Sequence, residues 1–122
     1  MYSLIQTAKE TIEKHFDKSR HTVGAAVRTK AGDVFTSVSV KGQKIDLCSE
    51  WSAIVQSLMS GSQIDMAVAV HRSKEGEYEI YPPCGLCREL YMTYCPDAKI
   101  ILSEDEAVTA RDLLPKAWQR KQ

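Results

Sequence analysis

A chain of 122 residues, 43% of them apolar, is long enough for one compact domain with an ordinary core. Lys plus Arg balance Asp plus Glu at 16 each, which gives no general electrostatic grip on nucleic acid. No stretch approaches the length of a membrane span, and the N-terminus lacks the basic, apolar and small-residue layout of a signal peptide. A cytoplasmic protein is expected, in which the 4 cysteines point to metal or catalysis rather than disulfides.

Leu4, Ile5, Ala8, Ile12 and Phe16 mark a first amphipathic helix. Val23, Ala25 and Val27 alternate with smaller or polar residues, as do Val34, Thr36, Val38 and Val40. Lys30-Ala31-Gly32-Asp33 between them reads as a hairpin turn, with Gly32 free to take positive φ. A second helix should begin near Cys48 and stop at Gly61, its apolar face made by Trp51, Ile54, Val55, Leu58 and Met59. Met66 to Val70 is an unbroken apolar run, expected of a strand buried on both faces. Ser73 to Glu79 is polar and reads as a solvated connection. A third helix opens at Pro82-Pro83-Cys84 and ends at Pro96, with Cys87, Leu90, Tyr91, Tyr94 and Cys95 on one face. Lys99 to Leu102 is a further strand, and a short helix is expected from about Thr109. The order α-β-β-α-β-α-β-α predicts an α/β fold, a three-layer α/β/α sandwich with a mixed sheet, formed by residues 1–122 as a single domain.

Two short motifs concentrate the chemistry. Cys48-Ser49-Glu50 starts the second helix, and Pro83-Cys84-Gly85-Leu86-Cys87 starts the third. A Cys-x-x-Cys pair puts two sulfurs on one side of a metal, and Cys48 completes a trigonal base. Zn2+ would sit ~2.3 Å from each sulfur with its fourth position open for water. Both helix N-termini favour negative charge, so thiol pKa values are expected to be lowered there. Three thiolates on a dication leave one negative charge, which Arg88 is placed to offset. Glu50 is not needed as a ligand. It is expected to take a proton from the water and pass it on to the substrate.

The spacing Cys-x-Glu, then Pro-Cys-x-x-Cys, resembles the signature of zinc deaminases. Val23-Gly24-Ala25-Ala26 and Leu113-Leu114-Pro115 extend the resemblance to the small cytidine deaminases over most of the chain. His21 to Lys30 (HTVGAAVRTK) and Pro83 to Leu90 (PCGLCREL) are particularly similar to the blasticidin S deaminase branch. The resemblance implies a hydrolytic deaminase of a small aminated heterocycle or nucleoside. It also implies a homotetramer whose active sites are completed by neighbouring subunits; the neutral charge balance and the lack of a membrane-length stretch give no reason to expect a nucleic-acid or membrane partner. His21 occupies the family's usual aromatic position near the substrate. Trp118 follows the Leu-Leu-Pro stretch where a family aromatic reaches a neighbour's site.

The family's ribose-holding Asn-x-Glu pattern is replaced here by Ser39 and Lys41, the connection from Lys41 to Leu47 is shortened, and the usual Ala between Cys and Glu is Ser49. Substrate contacts are therefore expected from Ser49, Pro83, His21, Ser39, Lys41 and Trp118, with plain cytidine a poor substrate and Lys41 suited to an acidic substituent. Cys95 reads as a core cysteine, His15 as a surface residue, His71 as either facing the site or ending its strand in a hydrogen bond, and Glu89 as a partner in an ion pair. Trp51, Tyr91 and Tyr94 read as core or subunit contacts. A non-catalytic zinc-stabilised module would need four protein ligands and no adjacent carboxylate. A deaminase acting on nucleic acid would carry a basic surface. Neither fits the three ligands, Glu50 and the neutral balance.

Overall fold

The computed structural model describes residues 1–121. The elements are α1 (Tyr2–His15), β1 (Val23–Thr29), β2 (Val34–Val38), β3 (Val40–Lys41), β4 (Asp46–Leu47), α2 (Ser49–Ser60), β5 (Ile64–Arg72), β6 (Tyr78–Ile80), α3 (Gly85–Tyr94), β7 (Lys99–Ser103) and β8 (Glu106–Thr109), then a 3-10 turn at Ala110–Leu113. The main sheet runs β2-β1-β5-β7-β8, with β6 pairing the far end of β5. The β5–β7 pair is parallel and the others are antiparallel, so the sheet is mixed. No helix among the described residues is long and apolar enough to cross a membrane.

Side chains alternate across a strand, and here the alternation feeds two cores. Ala26, Val68, Val70 and Ile101 face Leu4, Ile5 and Ala8 of α1. Their neighbours Val27, Ala67 and Ile100 face Ala53 and Ile54 of α2 and Cys87 and Tyr91 of α3. The sheet thus lies between α1 on one side and α2 with α3 on the other, the three layers expected. Strands β1, β5 and β7 serve both cores, which is why the Met66 to Val70 run carries no polar interruption. Full burial of an Ile or Leu such as those on α1 contributes about 1.5–3 kcal/mol each.

Gly32 has φ +95° in the β1–β2 turn, as its place in the hairpin requires. Gly24 does a different job. A Cβ there would lie 2.8 Å from the Ala8 carbonyl oxygen and 2.9 Å from Ile12 Cβ, so the glycine lets α1 seat directly on β1.

Several expectations are corrected. The second strand is interrupted at Ser39, whose hydroxyl accepts the Thr22 and Val23 amides at 3.2 and 3.1 Å, and the chain beyond it forms the β3–β4 ribbon. The polar stretch expected to be a loop includes the start of β6, because the far end of β5 offers it a free edge. The short helix expected from about Thr109 is present as a single turn of 3-10 helix, Ala110–Leu113, capped by Thr109, which also ends β8 and whose hydroxyl accepts the Asp112 amide. The stripe on α2 is also turned. Its buried residues are Ser49, Glu50, Ala53, Ile54 and Ser57, whereas Trp51, Val55, Leu58 and Met59 are exposed. On α3, Cys87 and Tyr91 are buried, followed by Cys95 at the cap, while Tyr94 is exposed.

Candidate active site

Both motifs sit at helix starts on the same side of β5. Cys48 is the N-cap of α2 and Cys84 the N-cap of α3, each with extended backbone that turns the chain into its helix. The Ser37 hydroxyl donates to the Ser49 carbonyl and fastens the start of α2 to β2. The Arg88 guanidinium holds the start of α3, Nε donating to the Pro83 carbonyl at 2.8 Å and one terminal nitrogen to the Leu113 carbonyl at 3.3 Å. These anchors bring the Sγ atoms of Cys48, Cys84 and Cys87 within 4.8 Å of one another, with Cys48 and Cys84 3.0 Å apart.

In the metal-free cluster the lowering expected at the helix starts is present at Cys84 and outweighed at Cys48 and Cys87. Burial pushes Cys48 up to about 11, with further crowding by Cys84 and Glu50. Burial and then the charge of Glu50 and the other thiols push Cys87 far higher. Only Cys84 is lowered: burial acts to raise it but is outweighed by hydrogen bonds from Cys48, Cys87 and the Leu86 amide. Without a counter-charge the cluster therefore retains protons, because helix-start polarity does not offset burial and mutual repulsion. A dication supplies that counter-charge. Three convergent soft sulfur donors, with no fourth protein ligand in the cluster among the described residues, fit zinc with one open position.

Glu50 lies on the first turn of α2, 5% exposed, where Oε2 accepts the Tyr91 hydroxyl from α3 at 3.4 Å. Burial raises its pKa to about 7, against the lowering effect of hydrogen bonds from Tyr91 and Cys87. A carboxyl poised there accepts and donates protons near neutrality. Beside it, the Ser49 hydroxyl is buried without a hydrogen-bond partner.

A cavity of about 310 Å³ opens onto this cluster. It brings together Ser39, Lys41, Cys48, Ser49, Glu50 and Cys84 of the residues named from sequence. Cys87 is buried behind it. Pro83 is buried and acts through its carbonyl on Arg88. His21 is not part of the lining; its Nδ1 lies 2.8 Å from the Ser39 carbonyl oxygen, at the base of the ribbon. Trp118 is 81% exposed and lies beside Glu89, Met92 and Leu114, away from this chain's own cavity. Glu89 forms no ion pair among the described residues; those present join Arg28 to Asp65, Arg72 to Glu13, Lys74 to Glu75 and Arg111 to Asp97.

The sequence reading missed part of the lining. Asp46, opposite Lys41 in the ribbon, and Tyr81 both face the cavity. Of the two readings of His71, facing the site holds and a strand-end hydrogen bond does not. Its ring stacks on Tyr81, with centroids 4.7 Å apart and planes 5° from parallel, and lines the cavity. Only the register of β5 with β6 reveals that neighbourhood.

The sequence profile described as cytidine and deoxycytidylate deaminase zinc-binding region matches residues 2–103. A blasticidin-S deaminase from Bacillus cereus is 30% identical, the match covering 96% of this chain and 91% of that one. A cytidine deaminase from Halalkalibacterium halodurans is 31% identical, over 82% of this chain and 79% of its own. The crystal structure of a cytidine deaminase from Burkholderia pseudomallei superimposes with a TM-score of 0.77 at 27% identity, covering 96% and 98% of the two chains. That of a cytidine deaminase from Bacillus anthracis reaches 0.84 at 22% identity over 96% and 88%, a likeness of fold. Profile, relatives and fold agree with the cysteine cluster, and the chain belongs to the cytidine and deoxycytidylate deaminase zinc-binding family.

Proposed function

We propose that this zinc-dependent deaminase converts an aminated pyrimidine nucleoside, or a related heterocycle, to its oxo product with release of ammonia. The observation that carries the reading is Glu50, buried and held near neutrality beside the three-cysteine cluster at the floor of the cavity. Zinc held by Cys48, Cys84 and Cys87 supplies a Lewis acid that makes water nucleophilic near neutral pH. Glu50 takes the first proton from the attacking water and delivers it to the ring nitrogen. It then carries the second from the new hydroxyl to the amine, so that ammonia leaves as the carbonyl forms. Tyr91 steadies the carboxyl throughout.

Ser49, Ser39 and Lys41 contact substrate from the cavity wall in this reading. Pro83 and His21 act from just behind it, and Arg88 offsets the charge of the site through its hold on the Pro83 carbonyl. Lys41 suits an acidic substituent, and cytidine is a poor substrate because the usual ribose-holding pair is missing. Residues 1–122 act as one deaminase domain, in a homotetramer in the cytoplasm. The exposed apolar face of α2 supports assembly, and the exposed Trp118 supports its insertion into a neighbour's site. Four free cysteines suit a reducing compartment.

The deciding experiment is an ammonia-release screen of the zinc-loaded protein against cytidine, deoxycytidine, blasticidin S and aminated bases, with zinc quantified per chain. One zinc and turnover of at least one compound are expected, both lost in Cys84→Ala. Full zinc occupancy in that variant, or no ammonia from any compound, overturns the reading.

A further inference from the structure

The cavity is chemically divided by depth. Its floor is Glu50 and Ser49, 5% and 1% exposed, beside the cysteines. Its mouth is formed by residues that are half-buried or exposed, including His71, Tyr81 and Lys41. An amino-pyrimidine that presents its amine-bearing carbon to the floor carries its glycosidic nitrogen on the opposite corner of the six-membered ring. The substituent on that nitrogen therefore emerges at the mouth.

Two positions that the sequence offers for holding it, Ser39 and Lys41, also line the cavity, but each is limited in how firmly it can do so. The Ser39 oxygen already accepts two backbone amides. Lys41 sits exposed on a two-residue strand. His71 and Tyr81 differ from both. Their rings are fixed against each other in a near-parallel stack. The backbone beneath them is fixed too, with the Tyr81 amide donating to the Ala69 carbonyl at 2.9 Å and His71 in register with Val23. Unlike His21 and Tyr91, whose polar atoms are engaged, the imidazole nitrogens of His71 and the hydroxyl of Tyr81 have no hydrogen-bond partner among the described residues. A pair ordered before binding loses little conformational freedom on meeting a ligand.

We infer that the stacked His71–Tyr81 pair is the specificity-determining element that reads the substituent of the bound ring, favouring a sugar-like group with polar atoms able to hydrogen-bond the imidazole and phenol. This deepens the deaminase reading and rests on it for the orientation of the ring.

The test uses calorimetry on the zinc-loaded Glu50→Gln form, whose turnover should be slowed by about 10²–10⁴-fold. Cytosine is compared with two nucleosides, cytidine and blasticidin S. The better-bound nucleoside should bind more tightly than cytosine. Adding His71→Phe, which keeps a ring on Tyr81 but removes both nitrogens, should weaken nucleoside binding about three- to tenfold and leave cytosine binding and zinc content unchanged. Tyr81→Phe serves as the second variant and should act in the same direction. Parent-like nucleoside affinity in both variants overturns the inference. So does equal weakening toward base and nucleoside, or a parent that binds cytosine as well as either nucleoside. Ammonia release by the zinc-loaded parent is measured in parallel. Its absence removes the deaminase reading, while the base-against-nucleoside comparison still decides the role of the pair.

Discussion

Helices α1 and α2 carry similar apolar patterns and use them in opposite ways. On α1 the pattern sets the rotation of the helix: Leu4, Ile5, Ala8 and Ile12 are all buried, and the first three pack on the sheet. On α2 the face toward the sheet is Ser49, Glu50, Ala53, Ile54 and Ser57, while Trp51, Val55, Leu58 and Met59 look outward. The difference lies in what else each helix must do. The start of α2 has to aim Cys48 and Glu50 at the cluster, and small Ala53 and Ser57 let the helix lie close to the strands. A helix without chemistry follows its hydrophobic stripe; a helix that presents a site is turned by the site, and its stripe is left exposed.

The sharpest way to break the comparison is Glu50→Gln. If the inner face of α2 is chemical, the variant keeps its zinc and loses turnover by about 10²–10⁴-fold, read from initial rates of ammonia release. Parent-like turnover would return Glu50 to a structural role. The inner face of α1 should behave differently: Ile12→Ala, at a position 0% exposed, should cost about 2–5 kcal/mol in denaturant unfolding while zinc per chain and kcat stay at the parent value.

Metal-free protein separates the two faces by pH. The Glu50 pKa lies near 7 in the folded chain against a usual 4.5. Below pH 4.5 both states hold the proton. Between there and pH 7 the unfolded chain gives it up and the folded chain keeps it, so stability falls as pH rises, and the loss levels off above 7. The shift corresponds to roughly 3 kcal/mol, and Glu50→Gln should abolish it in unfolding curves collected across that range. No comparable effect is expected from Ile12→Ala. The smallest change in the stability of the single chain is expected from the outer face of α2. Met59→Glu, at a side chain 85% exposed, should move it by no more than about 0.5 kcal/mol. If the proposed tetramer forms through this face, the same variant should shift sedimentation from about four times 13.7 kDa toward smaller species and, if Trp118 serves a neighbouring site as proposed, raise KM several-fold.

What could be read in advance follows from range along the chain. The first helix, the hairpin at Gly32 and the doubly buried β5 depend on periodicity and turn chemistry within a few residues. The cysteine cluster was legible because ligand type and spacing constrain a metal site more tightly than they constrain a fold. The β3–β4 ribbon and β8 were missed because they are short and carry Lys41, Asp46 and Glu106, which give little alternating pattern. The rotation of α2 was missed because a stripe says which residues share a face, not which face meets the sheet. His71 and Tyr81 were not paired because their contact depends on the β5–β6 register, which a polar connection conceals.

The cysteine cluster also acts on the chain as a fastener. Cys48 and Cys84 are 36 positions apart, joined by α2, β5 and β6, and their sulfurs meet only when β5 is seated. A metal held by all three cysteines closes that loop reversibly, as a disulfide would do permanently, and stabilises only the chain that has already brought the two helix starts together. At a free zinc concentration one hundred times the dissociation constant the gain is about 2.7 kcal/mol. The ion that equips the site for hydrolysis is thereby also a reversible staple, and the melting temperature of this protein follows the zinc supply of its surroundings.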